Sequence, residues 1–144
     1  MVTNKQKGDK VEREIQHILE KKGFVVMKSP RTMRFIGPGR FISMANDYFG
    51  LYDLCAKKNK ETFWIQAKSN INHVYEAQKK IAEFHLEYNC SNEYSEIWLR
   101  VAKKGFVTYV FNDLSKKWEK IFLDLKGEKK EPFKVCQNKK VMGK

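Results

Sequence analysis

Asp53, Gln66 and Lys68 fall in two runs of strand-forming residues, 51–57 and 62–68, separated by Lys58-Asn59-Lys60-Glu61. That pattern predicts a β-hairpin. With Asn59 and Lys60 at its tip, Lys58 faces Glu61, Ala56 faces Phe63 and Asp53 faces Gln66. Opposed side chains share a face and the strand period is two, so Trp64, Gln66 and Lys68 join Asp53 while Phe63, Ile65 and Ala67 point the other way. Asp53 and Lys68 become diagonal neighbours, about 7–8 Å apart at the backbone. Two- and four-residue loops preserve this register, whereas a three-residue loop shifts it by one and separates the set.

A carboxylate, an amide oxygen and an ammonium on one face suit a hard cation with a cationic group beside it. Magnesium fits best, because it takes one or two carboxylates and fills its other positions with water and phosphate oxygens. Such an ion polarises a phosphodiester and acidifies a bound water, while Lys68 would orient that water or balance charge on the phosphorane. On spacing alone an ordinary Asp/Lys surface pair is the commoner outcome. Another acid is available from an N-terminal helix, where Glu12 and Glu14 flank the apolar stripe at similar angles on opposite sides. Helical geometry does not choose between them.

The elements that must carry these residues follow from periodicity. Residues 9–22 place Val11, Ile15, Ile18 and Leu19 at helical spacing, with Gly23 as a stop, and residues 24–27 read as a short strand. Residues 29–50 break into Pro30, Gly37, Pro38, Gly39 and Gly50, with Arg31, Arg34 and Arg40 among Phe35, Phe41 and Phe49, and are expected as a long basic loop. A second helix is expected over residues 73–88, capped by Asn72, with Val74, Ala77, Ile81, Phe84 and Tyr88 inward. Strands over 96–102, 106–112 and 118–125 complete an α-β-β-β-α-β-β-β order. One domain over residues 1–125 is expected, followed by a loosely held basic tail over 126–144.

Composition narrows the function classes. The 144 residues carry 29 Lys+Arg against 17 Asp+Glu, a net charge of +12, so a polyanionic partner is expected. The longest apolar runs are too short for a membrane span, and no signal region is visible. Cys55, Cys90 and Cys136 fit neither a disulfide framework nor a paired zinc site, which points to a reducing, cytoplasmic setting, the host cytoplasm for a viral protein. His17, His73 and His85 lack neighbours at metal spacing, Cys55 is expected as a buried thiol, and Trp64, Trp98 and Trp118 as core or interface residues.

Lys7-Gly8-Asp9-Lys10-Val11-Glu12-Arg13-Glu14-Ile15, then Lys22-Gly23-Phe24-Val25-Val26, then Tyr52-Asp53-Leu54 and Trp64-Ile65-Gln66-Ala67-Lys68-Ser69 together resemble the PD-(D/E)XK nucleases, within them the archaeal-type Holliday-junction resolvases and related phage enzymes. The resemblance covers residues 7–70 well and the remainder through element order. It implies an α/β, restriction-endonuclease-like αβββαβ core with a mixed central sheet and additional C-terminal strands. It also implies a magnesium-dependent endodeoxyribonuclease, with manganese able to substitute, acting as a homodimer on four-way junctions. Carried over position by position, Glu12 becomes the helix acid, Asp53 the principal metal ligand, Gln66 the second ligand, the Ala67 carbonyl a further ligand and Lys68 the catalytic lysine. Arg13, Lys28 and Ser29 become backbone contacts. From the loop's own position and charge, Arg31, Arg34 and Arg40 are expected to reach phosphates, and Phe35 or Tyr48 to stack on opened bases.

Gln66 departs from the usual acid, which lowers the negative charge of the site; a Gln-x-Lys pattern also occurs in the Mrr-like restriction nucleases. Two alternatives therefore stand beside junction resolution: an Mrr-like or repair endonuclease on linear or flapped DNA, and a noncatalytic DNA-binding module with a nuclease fold. Strand residues near Trp98 or Phe106 are the expected dimer contact.

Overall fold

The computed structural model describes residues 4–45 and 47–135, with side chains described for these except at 4–7, 31–34 and 42–45. Helix α1 (Asn4–Lys21) is followed by β1 (Val25–Lys28), β2 (Arg31–Gly37), β3 (Arg40–Ala45), β4 (Leu54–Lys58) and β5 (Glu61–Lys68). A 3-10 turn (Ile71–His73) leads into α2 (Val74–Tyr88), then β6 (Glu93–Val101), β7 (Gly105–Asn112) and β8 (Lys117–Leu123). The main sheet runs β1-β4-β5-β6-β7-β8. All its pairings are antiparallel except β5 with β6, and α2 supplies the crossover that a parallel pair requires. The expected core with a mixed central sheet and further C-terminal strands is thus the observed arrangement.

Each face of the sheet buries one helix. Val11, Ile15, Ile18 and Leu19 of α1 meet Leu54, Ala56, Ile65 and Trp98. Val74, Ala77 and Ile81 of α2 meet Tyr52, Ile97, Leu99, Val107 and Tyr109 on the other face. Each fully buried aliphatic side chain contributes on the order of 1.5–3 kcal/mol, which fixes both helices without long loops. The β4–β5 hairpin has the expected register, Lys58 opposite Glu61 and Ala56 opposite Phe63. Asn59 and Lys60 both adopt positive φ (52° and 68°), the conformation a two-residue primed turn needs.

Three expectations are corrected. Residues 29–50 are not a loop throughout: β2 and β3 pair antiparallel as a separate two-stranded sheet, turned by Gly37-Pro38-Gly39, with a register shift between Phe35 and Gly37. The same breakers that suggested a loop are the turn of a hairpin whose legs are β-branched, aromatic and Met residues. Asn72 does not cap the second helix: α2 has His73 at its N-cap, without a side-chain cap bond, and Asn70 instead caps the preceding 3-10 turn, its Oδ1 accepting from the Asn72 N–H at 2.9 Å. Tyr88 is 67% exposed, and His85 takes the inward position one turn before the helix ends. Trp98 and Phe106 themselves are interior.

The segment from Lys126 folds back over its first ten residues. Lys129 bridges to Leu123, the Phe133 ring lies 5.0 Å from that of Phe122, and Gly127 is pressed against the Ile18 side chain of α1. Residues 136–144, Cys136 among them, lie outside the described residues. Among the described residues no helix is long and apolar enough to cross a membrane.

Candidate active site

Asp53 sits at the point where β4 begins. Its N–H donates to the Ile65 carbonyl at 2.8 Å, extending the hairpin register by one residue, and its carbonyl accepts from the Ser29 N–H at 2.8 Å. The carboxylate is buried and its Oδ2 accepts from two donors of β5: the Ala67 N–H at 2.8 Å and the Gln66 Nε2 at 3.2 Å. Asp53 and Gln66 are therefore brought together as the opposed positions implied. Lys68, half-buried, follows Gln66 by one strand period on the same face.

The two helix acids separate cleanly. Glu14 accepts from the Arg100 Nε of β6 at 2.8 Å and belongs to a structural ion pair. Glu12, on the other flank, lies 3.7 Å from Lys28 Nζ at the end of β1 and raises the Asp53 pKa through its charge. Glu12 is the acid facing the site.

A carboxylate that the sequence reading missed completes the cluster. Asp47 lies close enough to Asp53 to raise its pKa and accepts from Ser29 Oγ at 3.5 Å. The turn that folds it back is closed by the Gly50 N–H on the Asp47 carbonyl and by a Tyr48–Tyr52 bridge, with Phe49 at φ 56°. A non-glycine residue in this region is costly and is held by its surroundings. Here the Phe49 ring rests against Trp64 and Phe84, at 5.4 and 4.9 Å. The Tyr48 hydroxyl donates to the Lys28 carbonyl at 3.1 Å, tying the turn to β1.

These surroundings push the Asp53 carboxyl up to about 7. Burial is the largest cause, opposed by the Ala67 N–H, and the charges of Glu12 and Asp47 add to it. Among the described residues no three His, Cys, Asp or Glu side chains converge as a metal cage. The donor set instead fits an ion that keeps its own waters: Asp53 and the Gln66 amide are hard oxygen donors, and two further carboxylates stand near enough to favour a cation. Such an ion would offset the repulsion that raises Asp53.

The remaining positions distribute around this centre. Lys28 and Ser29 border it directly. Arg13 is exposed on α1 and lines a cleft with Lys10, His17 and Lys21, not with Asp53. Arg40 is exposed at the hairpin turn, and the side chains of Arg31 and Arg34 lie outside the described residues. His17 and His73 are exposed and Cys55 is half-buried, while His85 is interior with Nδ1 2.8 Å from Ser95 Oγ.

A family model described as Hjc, archaeal Holliday junction resolvase, matches residues 3–129. The chain belongs to the archaeal Holliday junction resolvase family. A match of that extent takes in both helices, the Asp53 cluster, all strands and the first residues of the returning segment, so this Hjc-family chain is of a nuclease type over residues 3–129. A solved structure titled as Archaeoglobus fulgidus Hjc, a Holliday junction resolvase from an archaeal hyperthermophile, is similar at 16% identity and a TM-score of 0.45, covering 85% of this chain and 95% of that one. The search of curated proteins returned no match.

Proposed function

We propose that this Hjc-family protein is a magnesium-dependent endonuclease that resolves four-way DNA junctions by phosphodiester hydrolysis, with manganese able to substitute. The observation that carries the reading is the Asp53 carboxylate held by the Ala67 N–H and the Gln66 amide, one strand period from Lys68. When bound, a divalent cation would supply Lewis acidity toward the phosphate and a more acidic water. Asp53 and Gln66 would hold it, with the Ala67 carbonyl as a further ligand. Glu12 and Asp47 keep the pocket negative, and Lys28 beside Glu12 presents a cation to the DNA backbone. Lys68 orients the attacking water and stabilises charge that develops on the phosphorane.

A four-way junction presents two equivalent strands, so the partner is proposed to be a second copy of the chain. The contact is proposed to lie on exposed apolar side chains, with Leu86 and Tyr88 of α2 as candidates beside the strand residues near Trp98 and Phe106. Incubation of the protein and magnesium with matched four-way, flapped and linear DNAs tests the reading. Paired symmetric nicks on the junction are the expected result. A preference for linear or flapped DNA would assign it to Mrr-like or repair cleavage. Binding of all three without cutting would make it a noncatalytic DNA-binding module, the reading that the missing acid at Gln66 favours.

A further inference from the structure

We propose that the β2–β3 hairpin is a branch-point wedge, whose exposed Phe35, Ile36 and Phe41 enter the opened base stacks of a DNA junction while its base holds the active site on a nearby phosphate. The proposal rests on the resolvase reading above and adds how a branched substrate is told from a linear duplex.

The hairpin forms its own sheet, outside the six-stranded one. Near its turn Phe35 pairs with Phe41 across the strands, their ring centroids 5.5 Å apart. Phe35, Ile36 and Phe41 are 61%, 53% and 56% exposed. An isolated two-stranded hairpin is marginal in water, and beyond the modest gain of the Phe35–Phe41 pair, three large apolar side chains left more than half exposed at its end stabilise it little. Their placement is explained by a partner.

Charge and position together select that partner. Residues 29–45 contain Arg31, Arg34 and Arg40 and no Asp or Glu, within a chain of net charge +12. A basic ribbon carrying aromatic rings suits nucleic acid: a two-stranded ribbon fits a DNA groove, apolar wedges part base steps, and exposed rings stack on freed bases. Both legs of the hairpin end at the active site. Ser29 contacts Asp53 and Asp47, and Tyr48 contacts Lys28. Phe35 lies six residues along the strand from Ser29, so it reaches at most about 20 Å from that anchor. Whatever the tip grips is therefore held within a few base-pair steps of the scissile phosphate, and a grip at the branch fixes the cut beside it.

The test uses the full chain and a four-way junction with 2-aminopurine at the branch-point pairs, in EDTA so that the DNA stays intact. The wild-type protein should raise the 2-aminopurine fluorescence and bind the junction more tightly than a linear duplex of equal length. The Phe35→Ala/Phe41→Ala variant should lose the fluorescence rise, and its junction-to-duplex affinity ratio should fall by about tenfold per ring. Phe35→Tyr/Phe41→Tyr, which keeps the π-faces, should restore both. A double-alanine variant that retains the fluorescence rise and a ratio within about threefold of wild type would overturn the wedge. A wild-type protein with no junction preference would overturn the resolvase reading itself, so the two failures are distinguishable.

Discussion

Asp53 is the centre of the proposed active site, and its environment bears on stability as well as on the proposed catalysis. Its carboxyl is pushed from the usual 3.8 up to about 7, so the folded chain binds this proton more tightly than the unfolded chain does. That contribution is fully present below the unfolded value and is lost as pH rises from about 4 through 7. Asp53→Asn should therefore become more stable than the wild type across that window in metal-free buffer, by up to about 4 kcal/mol at pH 8; denaturant titrations at pH 4 and pH 8 would show it. Gln66→Glu adds a carboxylate where the family resemblance expects one, and should lower the magnesium concentration needed for half-maximal cutting; a complete loss of cleavage would contradict the assignment of Gln66 as a ligand position. The Asp53–Gln66 pairing was legible because it depends only on a two-residue turn and the strand period. Asp47 was not, since its approach depends on a turn through Phe49 that no local pattern announces. Glu12 and Glu14 were equivalent by helical angle, and only the Arg100 partner on β6 separates them.

Elements that alternate cleanly were read nearly to their ends, and those that begin or end in polar sequence were not. Helix α1 starts at Asn4, five residues before the start expected at residue 9, and the strand expected from residue 51 is regular only from Leu54 because the chain turns at Asp53 to present its carboxylate. The β2–β3 hairpin was hidden by its own Gly-Pro-Gly turn. The returning segment after β8 was hidden by its Lys and Glu content, since its attachment rests on a few contacts such as Phe133 on Phe122 and Gly127 under Ile18. At Gly127 φ is +86°, and an added Cβ would overlap the Ile18 side chain. Gly127→Ala should accordingly cost about 1–3 kcal/mol, measured by chemical denaturation. A loosely held tail would show no change.

Across the whole molecule a positive surplus surrounds a small acidic centre. Glu12, Asp47 and Asp53 stand against Lys28 and Lys68 there, so the net charge of +12 resides in the surroundings, including the exposed Arg13 of α1 and Arg40 of the hairpin. Junction affinity should fall steeply with salt, with a log-log slope of about 0.9 per phosphate contact; a salt-independent affinity would contradict an electrostatic DNA surface. The central claim is that this surface delivers DNA to Asp53 and Lys68 for cutting. Its most direct test is strand mapping of a four-way junction after incubation with magnesium and the wild-type, Asp53→Ala or Lys68→Ala protein. Paired symmetric nicks from the wild type, lost in both variants while junction binding persists, are the predicted result. Undiminished cutting by either variant would contradict the account.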